Sequence, residues 1–500
     1  MLGYTNPMSP ISPLLIFFFF NFFLSVHVAF DGDEQQQQQK PSEMPMVKLD
    51  VMHRHHPHVQ EKLYGERRSL GSTDRFRDIH EHDHNRQRSI STSMKMSKTD
   101  RQLPMPSSAP IQLKISSGFD FGTNEYFVQF RVGTPPQKFL LIVDTGSDLT
   151  WLKCRYRRCL GNCTAHAHHK SRVEHKVKFD HPFLANHSSS FKLITCGSDF
   201  CLGDLQLLFA IPDCQVPSNP CVYDYSYIGG GAATGLFANE TVTVGLTNGK
   251  EKQLHDTLIG CTELFNAMQL KGVDGILGLG TGAHSFAHRA ALDKNGGGFS
   301  YCLIDHLSHH SATSYFILGY PPAEPLSVAP VGNMTFINLH LGGPFNSYYG
   351  VGLIGISIDG VTLNIPPRVW DIQKGGGTIL DSGTSLSMLT APAFDVFMEA
   401  MVQKLKKFQQ ILADPFAYCF NKTHYSHEMA PKLRFHFEKG VVFEPPPKSY
   451  IVKVDDILCL GFTSIPFPDT NIIGNILQQN FLWQFDFFNK KVGFAPSQCI

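Results

Sequence analysis

The pattern of hydrophobic and polar positions divides the chain into three regions. The first contains an apolar run from Leu14 to Leu24, broken by one polar residue, and the second, residues 31 to 110, is polar and rich in charge. In the third, apolar runs of strand length such as Phe127 to Val132 and Phe139 to Val143 alternate with Gly, Pro and Asn turn residues. Ala391 to Lys407 has apolar residues at spacings of three and four and predicts a helix. The pattern predicts a mostly β compact region behind a polar amino-terminal segment.

Residues 1–29 have the pattern of a secretory signal peptide, with cleavage near Ala29. A membrane anchor is the alternative, but the apolar core is short for a span, and no comparable run of about 20 residues recurs. We therefore expect a secreted protein without a stable membrane anchor.

Residues 30–110 contain a run of five glutamines, the His-rich stretches His53 to His58 and His80 to His84, and no cysteine. Such a composition buries little apolar surface on its own, which allows a disordered linker. Its position between a signal peptide and a compact region favours a pro-segment. Its histidines gain charge between about pH 7 and 5, so we expect acid to release it.

The chain has twelve cysteines, all between residues 154 and 499, and an even count in an exported protein predicts disulfide bonds. A metal site is the alternative where Cys154, Cys159 and Cys163 lie near a group of histidines, but export and the even count favour disulfides. The cysteines are Cys154, Cys159, Cys163, Cys196, Cys201, Cys214, Cys221, Cys261, Cys302, Cys419, Cys459 and Cys499.

The chain also carries five Asn-x-Ser/Thr sequons, which predict N-glycosylation and agree with export. The acceptor residues are Asn162, Asn186, Asn239, Asn333 and Asn421. Lys plus Arg equals Asp plus Glu at 43 each, so the overall charge gives no support for a nucleic-acid partner.

The most informative feature is a motif that occurs twice. An apolar strand ending at Val143 is followed by Asp144-Thr145-Gly146-Ser147, and a second ending at Leu380 is followed by Asp381-Ser382-Gly383-Thr384. One such motif is ordinary turn chemistry. Two copies with matching apolar strands predict a pair of related carboxylates.

A second element, two apolar residues and a glycine, follows each motif. It is Ile276-Leu277-Gly278 after the first and Ile472-Ile473-Gly474 after the second. The chain therefore divides into an amino-terminal lobe, residues 111–325, and a carboxy-terminal lobe, residues 326–500. The first lobe has the longer interval, which we attribute to a cysteine-rich insertion.

The chain resembles the pepsin-type aspartic proteinases, and more closely their nepenthesin-like plant subgroup, from residue 125 to residue 499. The resemblance rests on the two Asp motifs, on Tyr126-Phe127 with Val132-Gly133-Thr134-Pro135, on Trp151 and on the segment around Tyr227. It implies a bilobal pepsin-like fold, two related β lobes with the active-site cleft between them. It also implies a monomeric aspartic endopeptidase of the apoplast or the vacuole that cleaves proteins or peptides without a metal or cofactor.

In this family Asp144 and Asp381 would share one proton and activate a water. Two neighbouring carboxylates cannot both ionise cheaply, so the pair keeps one proton and titrates as a unit. Gly146 and Gly383 would let the backbone approach the carboxylates, and Thr145 and Ser382 would join the two loops. Ser147 and Thr384 would donate hydrogen bonds to the outer carboxylate oxygens.

The resemblance makes Tyr227 the tip of a flap that closes over substrate, with Trp151 as its hydrogen-bonding partner. The flap continues into Gly229-Gly230-Gly231, which predicts a mobile turn. The resemblance also implies the disulfides Cys196–Cys221, Cys201–Cys214, Cys302–Cys499 and Cys419–Cys459.

Three alternative functions are weighed against the same residues. A catalytically inactive pepsin-like binding protein, of the glycosidase-inhibitor type, typically lacks the carboxylates or the flap. A metal-dependent hydrolase would need a metal-binding motif such as a helical pair of histidines, which is missing here. A structural or lectin-like wall protein would cleave nothing. The duplicated motif favours catalysis over all three.

Overall fold

The computed structural model describes the strand Val47–His53, the helical residues His80, Asp83, His84, Gln87 and Ile90, and most of the chain from residue 126 to residue 499. Within 126–499 the gaps are 157–180, 210, 212–213, 227–231, 247–249, 266–273, 293–296, 306–313, 319–331 and 346. The signal peptide, Tyr227, the flap glycines, Asn162, Cys159 and Cys163 therefore lie outside the described residues. All described residues belong to one compact unit, Met44–Ile500. No helix in the described ranges has the length and apolarity needed to cross a bilayer.

The described residues are mostly β, as the pattern predicted, with short helical segments. The first strands are β1 Val47–His53, β2 Tyr126–Val132, β3 Gln137–Asp144, β4 Trp151–Arg155, β5 Phe183–Leu184, β6 Lys192–Leu193, β7 Val222–Ser226, β8 Ala232–Leu246, β9 Glu251–Phe265, β10 Gly275–Gly278, β11 Gly298–Cys302, β12 Ser314–Leu318, β13 Thr335–His340 and β14 Tyr349–Val351. The others are β15 Leu353–Ile358, β16 Val361–Thr362, β17 Thr378–Leu380, β18 Ser387–Thr390, β19 Gln410–Ile411, β20 Cys419–Asn421, β21 Leu433–Phe437, β22 Val442–Phe443, β23 Ile451–Val454, β24 Ile457–Leu460, β25 Phe462–Ile465, β26 Asn471–Ile473, β27 Phe481–Asp486 and β28 Lys491–Pro496. From residue 126 onward, the described α-helices are α1 Gln206–Leu208, α2 Phe286–Leu292, α3 Ala391–Leu405 and α4 Asn475–Gln478.

The strands form one large sheet and two small ones. The large sheet contains β1 to β14, β17, β18 and β25 to β28. The small sheets are β16-β15-β21-β22 and β19-β20-β24-β23, both from the carboxy-terminal half. The two lobes are joined in the large sheet where β11 pairs with β27. Phe299 of β11 stacks on Phe485 of β27 at 4.6 Å between ring centroids, so the junction is an aromatic core rather than a polar interface.

The two Asp motifs occupy equivalent places in the two lobes, as the duplication predicted. β3 ends at Asp144 and pairs in parallel with β10, and β17 leads to Asp381 and pairs in parallel with β26. A Cβ on Gly278 would lie 2.7 Å from the backbone of Asp148, and one on Gly474 would lie 2.6 Å from that of Ser385. The glycine of the second repeated element is therefore needed for close approach to the Asp loop.

Helix α3 forms where the spacing predicted it and ends at Leu405, two residues before the expected end. Pro392 is in the first turn, where its missing N–H costs no hydrogen bond. Phe397 is fully buried and lies 4.5 Å from Phe462, measured between ring centroids. The helix covers β18 and β25 with this face and supports the strand that follows Asp381.

Strand β1 lies in the segment that the sequence placed before the compact region. Its backbone pairs antiparallel with β12, β2 and β8. Residues Val47–His53 are thus part of the large sheet, which a disordered linker would not be.

Five disulfides occur among the described residues, and no described cysteine is free. Cys302–Cys499 and Cys419–Cys459 form as the resemblance implied. Cys154 bonds Cys261, so it is not available to a metal site with Cys159 and Cys163.

The pairing implied for the other four cysteines is wrong. The structure has Cys196–Cys214 and Cys201–Cys221 in place of Cys196–Cys221 and Cys201–Cys214. The cause is strand register. Thr195 faces Pro220, and Cys221 N–H donates to the Ile194 carbonyl, which leaves Cys196 opposite Asn219 rather than Cys221.

Peptide mapping of the unreduced protein tests this connectivity. We expect one cross-linked peptide pair that contains Cys196 and Cys214 and another that contains Cys201 and Cys221. Because Cys201 Sγ is also 3.5 Å from Cys214 Sγ, mapping should be done at acid pH to suppress thiol exchange. Peptides joining Cys196 to Cys221 would show that the register is different.

Candidate active site

Asp144 stands at the carboxyl end of β3 and has no exposed surface. Its Oδ1 accepts the N–H of Gly146 at 2.9 Å. Because β3 is buried from Phe139 onward, the strand delivers this carboxylate into the protein interior rather than to solvent. Leu279 N–H donates to the Asp144 carbonyl at 2.8 Å and fixes the backbone there.

Asp381 follows β17 directly and is 1% exposed. Its Oδ1 accepts the N–H of Gly383 at 2.9 Å, the counterpart of the bond at Asp144. Thr384 Oγ1 donates to Asp381 Oδ2 at 2.5 Å, the role expected for that residue. These donors stabilise a negative charge at Asp381.

Thr145 joins the two Asp loops. Its Oγ1 accepts from Ser382 N at 3.0 Å and from Ser382 Oγ at 3.2 Å. It donates in turn to Asp381 Oδ1 at 3.4 Å. The hydroxyl thus links the first loop to the second carboxylate, and the two motifs form one site.

The second loop is also held from outside the motif. Asn475 Nδ2 donates to the Ser382 carbonyl at 2.9 Å, and Gln478 Nε2 donates to the Asp381 carbonyl at 3.4 Å. The hydroxyl of Tyr301 donates to Gln478 Oε1. Burial, and then the charge of Asp381, raise the pKa of Tyr301 well above its usual value, so the hydroxyl stays protonated as a donor. The amino-terminal lobe thereby helps to position the second carboxylate.

Ser147 does not form the hydrogen bond to Asp144 that was predicted for it. Its Oγ is buried and has no hydrogen-bond partner among the described residues, so the predicted bond to Asp144 is not formed. The Ser147 carbonyl accepts the N–H of Gly280 at 2.8 Å, so its backbone is bound to the segment after β10. The two loops are therefore related but not equivalent.

Trp151 begins β4 and is 1% exposed, packed among Phe127, Ile142 and Tyr223. Its expected partner Tyr227 follows β7 and lies outside the described residues. The hydrogen bond between them stays a prediction.

Two acidic residues at this site were missed by the sequence reasoning. Asp148, directly after the first motif, accepts hydrogen bonds from Gly282 and Ser347. Asp83, in the polar segment, accepts the N–H of Ser385 at 2.8 Å and that of Leu386. The signal for Asp148 was a second carboxylate, four residues after Asp144, in a run from Phe139 to Leu152 that carries no other charge. Asp83 belongs to the stretch His80 to Ser89, which contains no apolar residue and therefore shows no helical period.

No candidate metal centre survives in the described ranges. The sulfurs of Cys196, Cys201 and Cys214 lie within 4.8 Å of one another. All three are in disulfides, which removes the thiolate that a metal would need.

Of the described sequons, Asn186 and Asn333 are exposed and Asn239 and Asn421 are half-buried.

Two buried Asp-Thr/Ser-Gly loops on related β lobes, joined through Thr145, define the pepsin-type class, and the chain belongs to the pepsin-type aspartic proteinase family. Two family models match it, the xylanase inhibitor N-terminal model over residues 126–320 and the xylanase inhibitor C-terminal model over residues 348–496. Together they cover more than half of the chain.

The curated relatives include Protein ASPARTIC PROTEASE IN GUARD CELL 2 of Arabidopsis thaliana, which is 29% identical over 77% of this chain and 75% of its own length. Aspartic proteinase nepenthesin-2 of Nepenthes gracilis is 28% identical over 77% of this chain and 82% of its own length. The nepenthesin resemblance seen in the sequence is thereby confirmed.

Among solved structures, basic 7S globulin from soybean superimposes with a TM-score of 0.56, at 17% identity, over 75% of this chain and 92% of that one. At this identity the match shows the fold alone. It confirms the expected bilobal pepsin-like fold.

Replacing Thr145 with valine tests the link between the loops. The variant keeps the shape of the side chain but removes the Thr145 acceptor from the two Ser382 donors and one donor from Asp381 Oδ1, which keeps the bond from Gly383. We expect this to lower the free energy of unfolding by about 1–3 kcal/mol. Thr243→Val is the matched control, since Thr243 Oγ1 is buried and has no partner in the part of the chain that the structure describes. Urea unfolding of both variants measures the difference; equal losses would mean that the link adds no stability.

Proposed function

We propose that this protein is an aspartic endopeptidase that hydrolyses peptide bonds at acid pH. The observation that carries the proposal is the joined pair of Asp loops, in which Thr145 of one loop donates to Asp381 of the other. Two carboxylates sharing one proton provide both an acid to polarise the substrate carbonyl and a base to accept a proton from water. The peptidase names of the curated relatives support the same class.

The surroundings of the pair suit this chemistry. Donors from Gly383, Thr384 and Thr145 converge on Asp381 and stabilise one negative charge on the pair. Both carboxylates are shielded from bulk water, which strengthens their interaction with each other and with a bound carbonyl. The attacking water and the substrate carbonyl would lie between the two loops.

We also propose that the protein is secreted, to the apoplast or to the vacuole. The support is the apolar amino-terminal segment, the sequons and the five disulfides, which form and persist in oxidising compartments.

Asparagine at either catalytic position tests the mechanism. Asp144→Asn and Asp381→Asn preserve side-chain size and should each reduce kcat by roughly a thousandfold or more. Wild-type cleavage should be confined to acid pH, because a pair that has lost its shared proton has no acid left. Cleavage of a denatured protein should be followed over about pH 2 to 8, with overlaid circular dichroism spectra as the control for folding. A folded Asp381→Asn variant that cleaves like wild type would falsify the two-carboxylate mechanism.

A second candidate function is binding without catalysis. It is favoured by one observation, that both matching family models carry the name of xylanase inhibitors. A binding protein of this kind would bind a glycosidase equally well as wild type, Asp144→Asn or Asp381→Asn, and would release no peptides. The same two variants therefore distinguish the functions.

We further propose that residues 30–110 act as a pro-segment that covers the site. Asp83 binds the backbone N–H groups of Ser385 and Leu386, which directly follow the second Asp motif. Gln87 Nε2 donates to Asp469 Oδ2 at 2.7 Å, and Ile90 is 2% exposed in an apolar cluster with Ile379 and Met388. Positions 83, 87 and 90 share one helical face, and that face is turned to the carboxy-terminal lobe.

His80 gives this docking a pH dependence. Burial, with a smaller contribution from His84, lowers the pKa of His80 to about 4, although Asp414 opposes the shift. A released His80 has the ordinary value of about 6.5, so between about pH 6.5 and 4 the released segment binds a proton that the docked segment does not. Acidification through this range therefore favours release.

Hydrogen exchange of the Ser385 and Leu386 amides measures the docking. In full-length Asp144→Asn protein, which cannot process itself, we expect both amides to lose protection as pH falls from about 6.5 to 4, after correction for intrinsic exchange. Asp83→Ala should remove the protection at every pH, and His80→Gln should weaken its pH dependence. The Gly278 amide, bonded to Thr150 Oγ1 in the other lobe, serves as the control. Unchanged protection in Asp83→Ala would contradict the docking.

A further inference from the structure

Asp148 connects three parts of the molecule that meet beside the first catalytic loop. It is the residue after Ser147, and its Oδ1 accepts the N–H of Gly282 at 2.8 Å. Its Oδ2 accepts the hydroxyl of Ser347. One carboxylate thus holds the first Asp loop, the segment after β10 and the segment before β14.

Two glycines, Gly280 and Gly282, leave room for the Asp148 carboxylate. A Cβ on Gly280 would lie 2.4 Å from Asp148 Oδ1, and one on Gly282 would lie 2.5 Å from Asp148 Cγ. Any larger residue at either position would push the carboxylate from its hydrogen bonds. Burial raises the pKa of the Asp148 carboxyl, the bonds from Ser347 and Gly282 oppose that shift, and the charge of Asp144 adds to it.

Ser347 carries the connection to the second catalytic aspartate. Its carbonyl accepts the N–H of Thr281 at 3.1 Å, which adds a backbone bond beside that of Asp148. Two residues on, Tyr349 begins β14 and lies opposite Leu380 of β17, the residue before Asp381. The hydroxyl of Tyr349 also donates to the Leu279 carbonyl. A continuous set of contacts therefore runs from Asp148 to the backbone of Asp381.

We propose that Asp148 is a positioning residue that fixes the first catalytic loop relative to the strand carrying Asp381, through Ser347 and Gly282. The proposal rests on the proposed peptidase function. It differs from the role of Thr145, which joins the tips of the two loops, because Asp148 holds the base of the first loop. Loss of this contact should displace Asp144 relative to Asp381 without removing any group that touches substrate.

Kinetics of four variants test the proposal. We expect Asp148→Ala to lower kcat about ten- to hundredfold with KM changed less than about threefold, since misplacement of catalytic groups acts on the chemical step. Asp148→Asn can still accept from Gly282 and donate to Ser347, and should recover most of the loss. Ser347→Ala should lower kcat in the same direction, and the double variant should lose less than the product of the two single losses.

Asp486→Ala is the matched control. Asp486 also accepts two hydrogen bonds, from the N–H and the Nδ2 of Asn489, and it lies at the end of β27, opposite Gly298 of β11. It should reduce stability locally and leave kcat unchanged. Thermal unfolding of every variant separates a loss of folded protein from a loss of rate.

The outcomes distinguish this proposal from the function on which it rests. A wild type that cleaves peptides, together with a folded Asp148→Ala variant of equal kcat, would overturn the positioning role and leave the function intact. A wild type that cleaves nothing would overturn the function. The contact between Asp148 and Ser347 is then tested by the unfolding free energies of the variants. Additive losses of unfolding free energy in Asp148→Ala and Ser347→Ala would show that the two side chains are not coupled, and would overturn the contact as well.

Discussion

The structure depends on placing two carboxylates in one buried site. Asp144 and Asp381 are withdrawn from water at the ends of buried strands, and a buried charge is costly unless donors surround it. The fold provides these donors from its own backbone, because each aspartate accepts the N–H of the glycine two residues later. Such loops need strands on both sides to hold them. The parallel pairs β3–β10 and β17–β26 provide that support once in each lobe.

The same requirement explains which features could be predicted from the sequence. Strand length, the paired Asp motifs and the repeated apolar-apolar-Gly element are local, and each has a local reason in burial or close approach. The bilobal fold and the bonds of Thr145, Ser382 and Thr384 were implied by the family resemblance that rests on these motifs, and helix α3 was predicted from the apolar spacing of its own residues. Gly278 and Gly474 serve the same purpose in both lobes, since each lies against the backbone just after an Asp motif.

The features that were missed depend on contacts distant in sequence. The pairing of Cys196 follows from the register between Thr195 and Pro220, which no local pattern reveals. Asp83 meets Ser385 across 302 positions, and Asp148 meets Ser347 across 199. The two motifs also differ where their sequences look alike, because Thr384 donates to Asp381 whereas Ser147 Oγ has no partner among the described residues. Sequence identifies the motif, whereas tertiary contacts decide the role of each side chain in it.

The two Asp loops differ in the origin of the carboxylate that lies beside each of them. The residue after the first motif is Asp148, whose carboxylate accepts hydrogen bonds from Ser347 and Gly282. The residue after the second motif is Ser385, whose backbone N–H donates to Asp83 of the amino-terminal segment. A carboxylate thus stands beside both loops, built into the first and supplied by Asp83 to the second. Removal of the amino-terminal segment, as proposed for a pro-segment, would therefore take Asp83 away from the second loop, whereas Asp148 belongs to the first loop itself and would keep its bonds to Ser347 and Gly282.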